Sequence, residues 1–319
     1  MPRNVNMKVI TIANQKGGVA KTTTAINLAA GLALYEKARA PKSPKRVLLV
    51  DLDPQGNASS IASTGLFNQR EFGVPRKTIA NLLLDENIPS PAETIFTAHL
   101  PYNYHSNNLD FIPVDKASLA GAIRDLGDVE GGEIRLADGL AAYENDYEWV
   151  VVDTGPSYNL LLRNALNAAD YIVVPFDVSG LGVSSLPDIL DTVKRVQKRV
   201  NPKLRLLGIL PTKFNPARAQ QQGILEDVIN MYPDHVLSPV RERDDISLAN
   251  TEGLDVFSLR PPRVFGPANP FDDQRAIDLA NRWQKPYLLD KLCFVSQNDG
   301  PRDMALFLLN VLIRAQLEE

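Results

Sequence analysis

Residues 14–24 read Asn-Gln-Lys-Gly-Gly-Val-Ala-Lys-Thr-Thr-Thr, between an apolar run (Val9-Ile10-Thr11-Ile12-Ala13) and an alanine-rich stretch of helical period. This order confines the chain to few folds. A short apolar strand that breaks at two glycines and continues as a helix is the opening of a βαβ unit in a parallel sheet. The backbone N–H groups of such a loop converge on an anion, and the helix N-terminus that follows reinforces them. The loop carries two lysines. Lys21 directly precedes Thr22, where a phosphate-binding loop has its lysine and its Mg²⁺-ligating hydroxyl. Lys16 stands five residues earlier, where the ordinary loop has none. One nucleotide rarely takes two lysines from one loop, so Lys16 points to a site completed by a partner subunit.

The rest of the chain repeats the alternation. Residues 8–13, 47–50, 109–112, 149–152, 171–175 and 205–210 are short runs rich in Val, Ile and Leu, as buried parallel strands are. Helical patterns fall at about 22–36, 133–144, 158–168, 182–200 and 217–231. Together they predict a doubly wound α/β fold: a mostly parallel sheet flanked by helices, with ligands at the carboxyl ends of its strands. The expected organisation is a P-loop domain over 1–258. A Pro- and Arg-rich connection (259–273) then leads to a helical extension over 259–319, with patterns near 274–290 and 301–317, packed on the same domain.

Bulk properties narrow the class further. A composition 44% hydrophobic and 23% charged is that of an ordinary globular protein. No uncharged apolar run approaches the about 18 residues of a membrane span, and strand-like residues begin too early for a signal-peptide core. The lone cysteine, Cys293, excludes an internal disulfide framework and a self-contained cysteine metal site. The expected compartment is the cytoplasm. A net charge of −4 gives no global attraction to nucleic acid, so such binding needs a local patch.

Acidic residues end two of the apolar runs. Val47 to Val50 leads into Asp51-Leu52-Asp53-Pro54-Gln55-Gly56-Asn57. Carboxylates there fall on the ligand face of the sheet. Asp53 can accept a hydrogen bond from water and orient it for in-line attack on a γ-phosphate, and Asp51 can support a Mg²⁺ shell. A capped turn is the competing explanation, because Asp-Pro and Gln-Gly are turn signals themselves. Trp149-Val150-Val151-Val152-Asp153 reads as a Walker B strand, whose Asp153 holds Mg²⁺ through water. Alone, an apolar run ending in Asp often marks only a strand end.

These motifs carry a family resemblance. Lys16-Gly17-Gly18-Val19-Ala20-Lys21-Thr22-Thr23 resembles the deviant Walker A motif of the ParA/MinD ATPases, and the stretch from Asp51 to Asn57 resembles the DxDPQGN motif of the ParA type. The likeness spans about residues 7–258, with insertions. It implies an ATPase, using ATP and Mg²⁺, that dimerises as a sandwich with Lys16 contacting phosphates across the interface. It makes Lys16, Lys21 and Asp53 the catalytic set, with Asp53 the hydrolytic residue. It assigns Gly17, Gly18, Val19, Ala20, Lys21, Thr22 and Thr23 to the phosphates and Thr22, Asp51 and Asp153 to the metal. Backbone near Lys213–Asn215 and Pro239–Arg241, with Asn215 and Pro239 as markers, is implied for the adenine. Two positions depart from the family. Ala20 replaces a glycine, which costs about 1 kcal/mol or more if φ is positive there. Gly155 replaces a proline, which implies a looser loop at the γ-phosphate.

Between 192 and 212 the chain has Lys194, Arg195, Lys198, Arg199, Lys203 and Arg205 and no acidic residue. At 100° per residue, Leu186, Ile189, Leu190, Val193, Val196 and Val200 share one helix face and the first four cations the other. A solvated helix face accounts for such a run equally well. The resemblance adds Arg218, Arg241 and Arg243 and implies binding of DNA without sequence preference. It implies segregation or positioning of a chromosome or plasmid, with hydrolysis stimulated by a ParB-like partner and localisation on the nucleoid. Three other readings stand beside it. One is positioning of a protein cargo on the nucleoid. Another is a MinD-like membrane switch, for which residues 304–317 are apolar enough but carry one cation and precede two glutamates. The third is a metabolic ligase or amidase, for which His99, His105 and His235 form no catalytic pattern. An iron–sulfur role fails for want of cysteines.

Overall fold

The computed structural model describes residues 7–40, 42–63, 77–98, 108–157, 159–252, 254 and 299–316. The connection expected at 259–273, the helix expected at 274–290, Cys293, His99 and His105 lie outside the described residues. Seven strands form one sheet in the order β3-β4-β2-β5-β1-β6-β7. They are β1 (Lys8–Ile12), β2 (Val47–Leu52), β3 (Phe96–Thr97), β4 (Leu109–Ile112), β5 (Trp149–Thr154), β6 (Tyr171–Asp177) and β7 (Arg205–Thr212). All neighbours pair in parallel except β3 with β4.

The central strands are buried on both faces, which is why they read as unbroken apolar runs. Their side chains still alternate with the pleat. Ile10, Ile12, Leu49, Val151 and Val173 pack on one side, against α1 (Lys21–Arg39). Val9, Leu48, Val50, Val150 and Val152 face the other side, with α3 (Ile79–Leu84), α5 (Lys116–Asp125), α6 (Arg135–Ala141) and α7 (Leu160–Ala168). A third cluster joins β6 and β7 to α9 (Leu186–Arg199) and α10 (Ala219–Met231). Short helices complete the described chain: α2 (Asn57–Ala62), α4 (Pro91–Thr94), α8 (Gly180–Val183) and α11 (Asp244–Glu252).

The last described helix, α12 (Asp299–Gln316), sets Met304, Phe307, Leu308, Val311, Leu312 and Ala315 into the α1 side of the core. Arg314 donates to Leu207 O at 2.8 Å and Tyr171 Oη to Ala315 O at 3.2 Å, which ties the helix to the sheet. Its apolar face is therefore covered by protein, the opposite of what a membrane-surface helix presents. Among the described residues no helix is long and apolar enough to cross a membrane.

Several boundaries differ from the sequence expectation. β2 and β5 extend one residue past the acidic positions Asp51 and Asp153, to Leu52 and Thr154. The helix expected over 182–200 is two, α8 and α9, because Pro187 starts a new helix in its first turn. Val200 is 46% exposed, since α9 ends at Arg199 before the expected apolar face is complete.

Candidate functional site

β1 lies between β5 and β6, where the direction of the connections reverses. Crevices at such switch points, outside the carboxyl ends of the strands, are where open α/β sheets bind ligands. The glycine loop leaves β1 there. Register brings the acidic strands beside it: Asp153 is paired with Ile12 across one edge of β5 and with Asp51 across the other.

Within the loop, Gly18 (φ 76°) and Ala20 (φ 64°, ψ 33°) are both left-handed, and Ala20 is the N-cap of α1. The strain expected of an alanine in this place is therefore present. Lys21 is nearly buried and its Nζ donates to Lys16 O at 2.9 Å. Burial lowers its pKa, against the raising fields of Asp153 and Asp53. Lys16 faces elsewhere: its Nζ lies 2.8 Å from Asp177 Oδ1, at the end of β6. Asp177 also accepts from Ser179 Oγ at 2.7 Å. Burial opposes its ionisation, but the bonds from Lys16 and Ser179 prevail and hold its carboxyl below the ordinary value.

Asp51 and Asp153 are fully enclosed. Asp51 Oδ2 accepts from Ser59 N and Ser59 Oγ, both at 2.8 Å, and its Oδ1 accepts from Asp53 N at 3.0 Å. Burial nonetheless pushes its pKa up to about 6, against the Ser59 hydrogen bonds. Burial, then the nearby Asp51, raises Asp153 well above the carboxylate range, while the Thr22 hydroxyl and Lys21 pull it back. Neither oxygen of Asp153 makes a hydrogen bond within normal distance. An enclosed carboxylate left so is unfavourable unless it is protonated or meets a cation. The residues thus fit Mg²⁺, which takes few protein ligands. No cluster of three or more His, Cys, Asp or Glu able to cage a metal occurs among the described residues. Asp53 is 8% exposed, receives Gln55 N at 2.9 Å and lies against Gly155, where a Cβ would come within 3.4 Å of its Oδ1.

The two segments expected at the adenine are neighbours. Val240 N donates to Pro211 O at 2.9 Å and Phe214 N to Val240 O at 3.2 Å, which sets 239–241 alongside 211–215. They border a cavity of about 430 Å³ whose lining includes Gly18, Ala20, Thr23, Thr212, Lys213 and Arg243. Asn215 and Pro239 are half-buried and do not line it.

The basic residues divide. Lys194, Arg195, Lys198 and Arg199 are exposed on α9 while Leu186, Ile189, Leu190, Val193 and Val196 are buried beneath. Lys194 lies 3.8 Å from Asp191, and exposed Arg218 lies 3.6 Å from Glu242. Arg241 is placed differently. Its guanidinium holds the buried Asp303 of α12 through Nη2 at 2.8 Å and Nε at 2.9 Å, so it joins α12 to the domain. Arg243 lines the cavity rather than the α9 face.

Sequence reasoning missed Asp177, Ser59 and Thr212, and it named Lys213 only for its backbone. Asp177 ends an apolar strand just as Asp51 and Asp153 do, so the same rule applied to β6 finds it. Ser59 has no such signal, because its role depends on α2 folding back under Asp51.

Comparison with known proteins places this geometry. The AAA domain family model matches residues 7–206. The sporulation initiation inhibitor protein Soj of Bacillus subtilis is 35% identical over 260 residues, 81% of this chain and 93% of Soj. The chromosome partitioning protein ParA of Caulobacter vibrioides is 34% identical over 240 residues, 75% of this chain and 81% of that one. Among solved structures, cobyrinic acid a,c-diamide synthase from Mycobacterium smegmatis with bound ADP and magnesium superposes with a TM-score of 0.63 at 31% identity. That likeness covers 77% of this chain and 91% of the other. A chain related in this way to Soj and ParA belongs with them in the ParA/MinD family of deviant Walker A ATPases, and it hydrolyses ATP.

Proposed function

We propose that this ATPase is a ParA-type switch: ATP joins two copies as a sandwich, the dimer binds DNA without sequence preference, and hydrolysis releases it. The observation that carries this reading is the divergence of the two lysines. Lys21 is enclosed among Asp53, Asp153 and the loop carbonyls, suited to the phosphates of its own subunit's nucleotide. Lys16 points out of that enclosure, is about a quarter exposed and, among the described residues, pairs through its ammonium with Asp177, which leaves it within reach of a facing subunit.

The residues then divide the chemistry. Backbone N–H groups of Gly17 to Thr23 bind the phosphates. Lys21 offsets their charge. The Thr22 hydroxyl and Asp153 would hold Mg²⁺, with Asp51 supporting them, and the ion would supply positive charge to the phosphates. Asp53 accepts a hydrogen bond from water and orients it toward the γ-phosphate. The segments at Asn215 and Pro239 border the adenine. Lys194, Arg195, Lys198, Arg199 and Arg218 meet DNA phosphates, and dimerisation doubles that patch so that ATP controls affinity through avidity. The relatives named for chromosome partitioning support DNA segregation or positioning as the task, on the nucleoid, with a ParB-like protein stimulating slow hydrolysis.

DNA binding measured with ATP, with ADP and without nucleotide, at two salt concentrations, tests this. Tight binding only with ATP, falling steeply as salt rises, is expected. Equal binding in all three states overturns the switch. The likeness to a diamide synthase favours a second reading, ATP-driven amide formation. It requires glutamine- and acid-dependent ATP turnover in the absence of DNA.

A further inference from the structure

Two residues other than glycine have positive φ among the described residues, Ala20 at 64° and Lys213 at 53°. They belong to different elements, the glycine loop and the end of β7, yet both line the cavity of about 430 Å³. Lys213 is exposed, so core packing does not explain a backbone conformation that is unfavourable for a long side chain. Its side chain returns to the loop, where Nζ donates to Gly18 O at 2.8 Å.

That bond acts on a particular peptide group. A trans peptide is planar, so its C=O and the following N–H point in opposite directions, and the structure contains no cis peptide among the described residues. Holding Gly18 O toward Lys213 fixes Val19 N–H the opposite way. The neighbouring peptides are fixed by the same means. Thr212 Oγ1, which donates chiefly to Phe176 O at 2.9 Å, lies 3.3 Å from Val19 O, and Thr24 donates to Ala20 O through its N (2.9 Å) and Oγ1 (2.7 Å). Lys21 Nζ occupies Lys16 O at 2.9 Å. Each carbonyl in this set is held by a donor, which sets the direction of the next amide. Glycine-rich peptides flip easily because no Cβ resists rotation, so Gly18 has most need of an external tie.

We infer that Lys213 is a positioning residue for nucleotide binding: its ammonium holds the Gly18 carbonyl so that the Val19 amide is oriented for phosphate before nucleotide arrives. The inference rests on the nucleotide site proposed above and deepens it. The left-handed turn at Lys213 is what directs the side chain back over the loop.

The test uses the full-length protein with Lys213→Met, Lys213→Gly and Lys213→Arg, and Lys21→Ala as a control for the site. Amide hydrogen exchange over residues 17–21 is followed without nucleotide, and ADP affinity is measured by calorimetry. Lys213→Met is expected to speed loop exchange and to weaken ADP about tenfold, the lower range for losing a charge-assisted hydrogen bond at an exposed position. Lys213→Gly should match it, because the ammonium and not the backbone strain is what matters. Lys213→Arg keeps a donor and should recover affinity to within about threefold. Weakened ADP binding with unchanged loop exchange would mean that Lys213 contacts the nucleotide directly and would overturn the positioning role. Unchanged ADP affinity in Lys213→Met with Lys21→Ala impaired overturns the inference alone. If both variants bind ADP as the parent does, the site itself is misplaced.

Discussion

Replacing Ala20 with glycine should stabilise the protein, and the size of the gain follows from the backbone. Ala20 is held at φ 64°, ψ 33° by its place as N-cap of α1 and by two hydrogen bonds from Thr24 to its carbonyl. An L-residue in this region is disfavoured by about 1–2 kcal/mol, through contact of Cβ with the carbonyl oxygen. Glycine escapes that contact but has a more flexible unfolded chain, which offsets about 0.4–1 kcal/mol of the gain. The expected net stabilisation is about 0.5–1 kcal/mol. It should appear in urea unfolding as a higher midpoint with an unchanged m-value, because buried area is unaltered. Affinity for ADP should change less than about twofold if the strain at Ala20 is the same with and without nucleotide. Ala20→Val is the counter-test. A β-branched residue is a genuine outlier at positive φ, so this variant should be less stable than the parent. A glycine variant no more stable than the parent, or a valine variant as stable, would refute the assignment of strain to this residue.

Three further outcomes follow from the site. Asp53→Ala should reduce ATP turnover by about 100-fold or more, the usual scale for a positioned acid–base group, and should trap the ATP-bound dimer on DNA; unchanged turnover removes Asp53 from the reaction. Lys16→Ala should abolish ATP-dependent dimerisation in sedimentation experiments while first-encounter ATP binding stays within about threefold, because its ammonium lies at Asp177 and not in the loop; normal dimerisation and turnover would exclude the cross-subunit role. Asp51→Asn tests the electrostatics through pH. The Asp51 carboxyl has its pKa raised from 3.8 to about 6, chiefly by burial. As pH rises through that window the unfolded chain loses this proton before the folded one does, so the group's contribution to stability falls between about pH 4 and pH 6. The asparagine variant lacks this loss. Its unfolding free energy relative to the parent should therefore rise from pH 4 to pH 8, by at most about 3 kcal/mol for a shift of this size. A difference independent of pH would show that Asp51 is not the titrating group.

What the sequence made legible follows the range over which its physics acts. The glycine loop, the long strands and the exposed face of α9 are local, each set by consecutive residues or by one period. The break between α8 and α9 was also local, and Pro187 marked it, but the apolar period carried the reading across it. The short helices α2, α3 and α4 span four to six residues, too few for a helical period to emerge. β3 has two residues and exists because Phe96 pairs with Phe111 across an antiparallel edge. Arg241 shows a different limit. A surface arginine and one committed to a buried carboxylate look alike in sequence. What separates them here is Asp303, 62 residues away on α12.

The glycine loop and the acidic strand ends gather groups whose charges burial opposes. Two enclosed carboxylates, Asp51 and Asp153, stand side by side across β2 and β5; burial raises the pKa of both, and Asp51 raises that of Asp153 further. Their nearest cation, Lys21, has its own pKa lowered by burial. Folding therefore holds together groups that favour losing their charges, which natural proteins tolerate where a ligand will later restore the balance. A ligand bringing both phosphate and a divalent cation would answer both deficits at once: Lys21 and the loop would hold the anion, and Asp153, whose oxygens make no normal hydrogen bond, would hold the cation. Anion or cation alone answers one. The same contrast separates the two lysines: Lys21 is enclosed in the fields of Asp153 and Asp53, whereas Lys16 is paired with Asp177 at the end of β6.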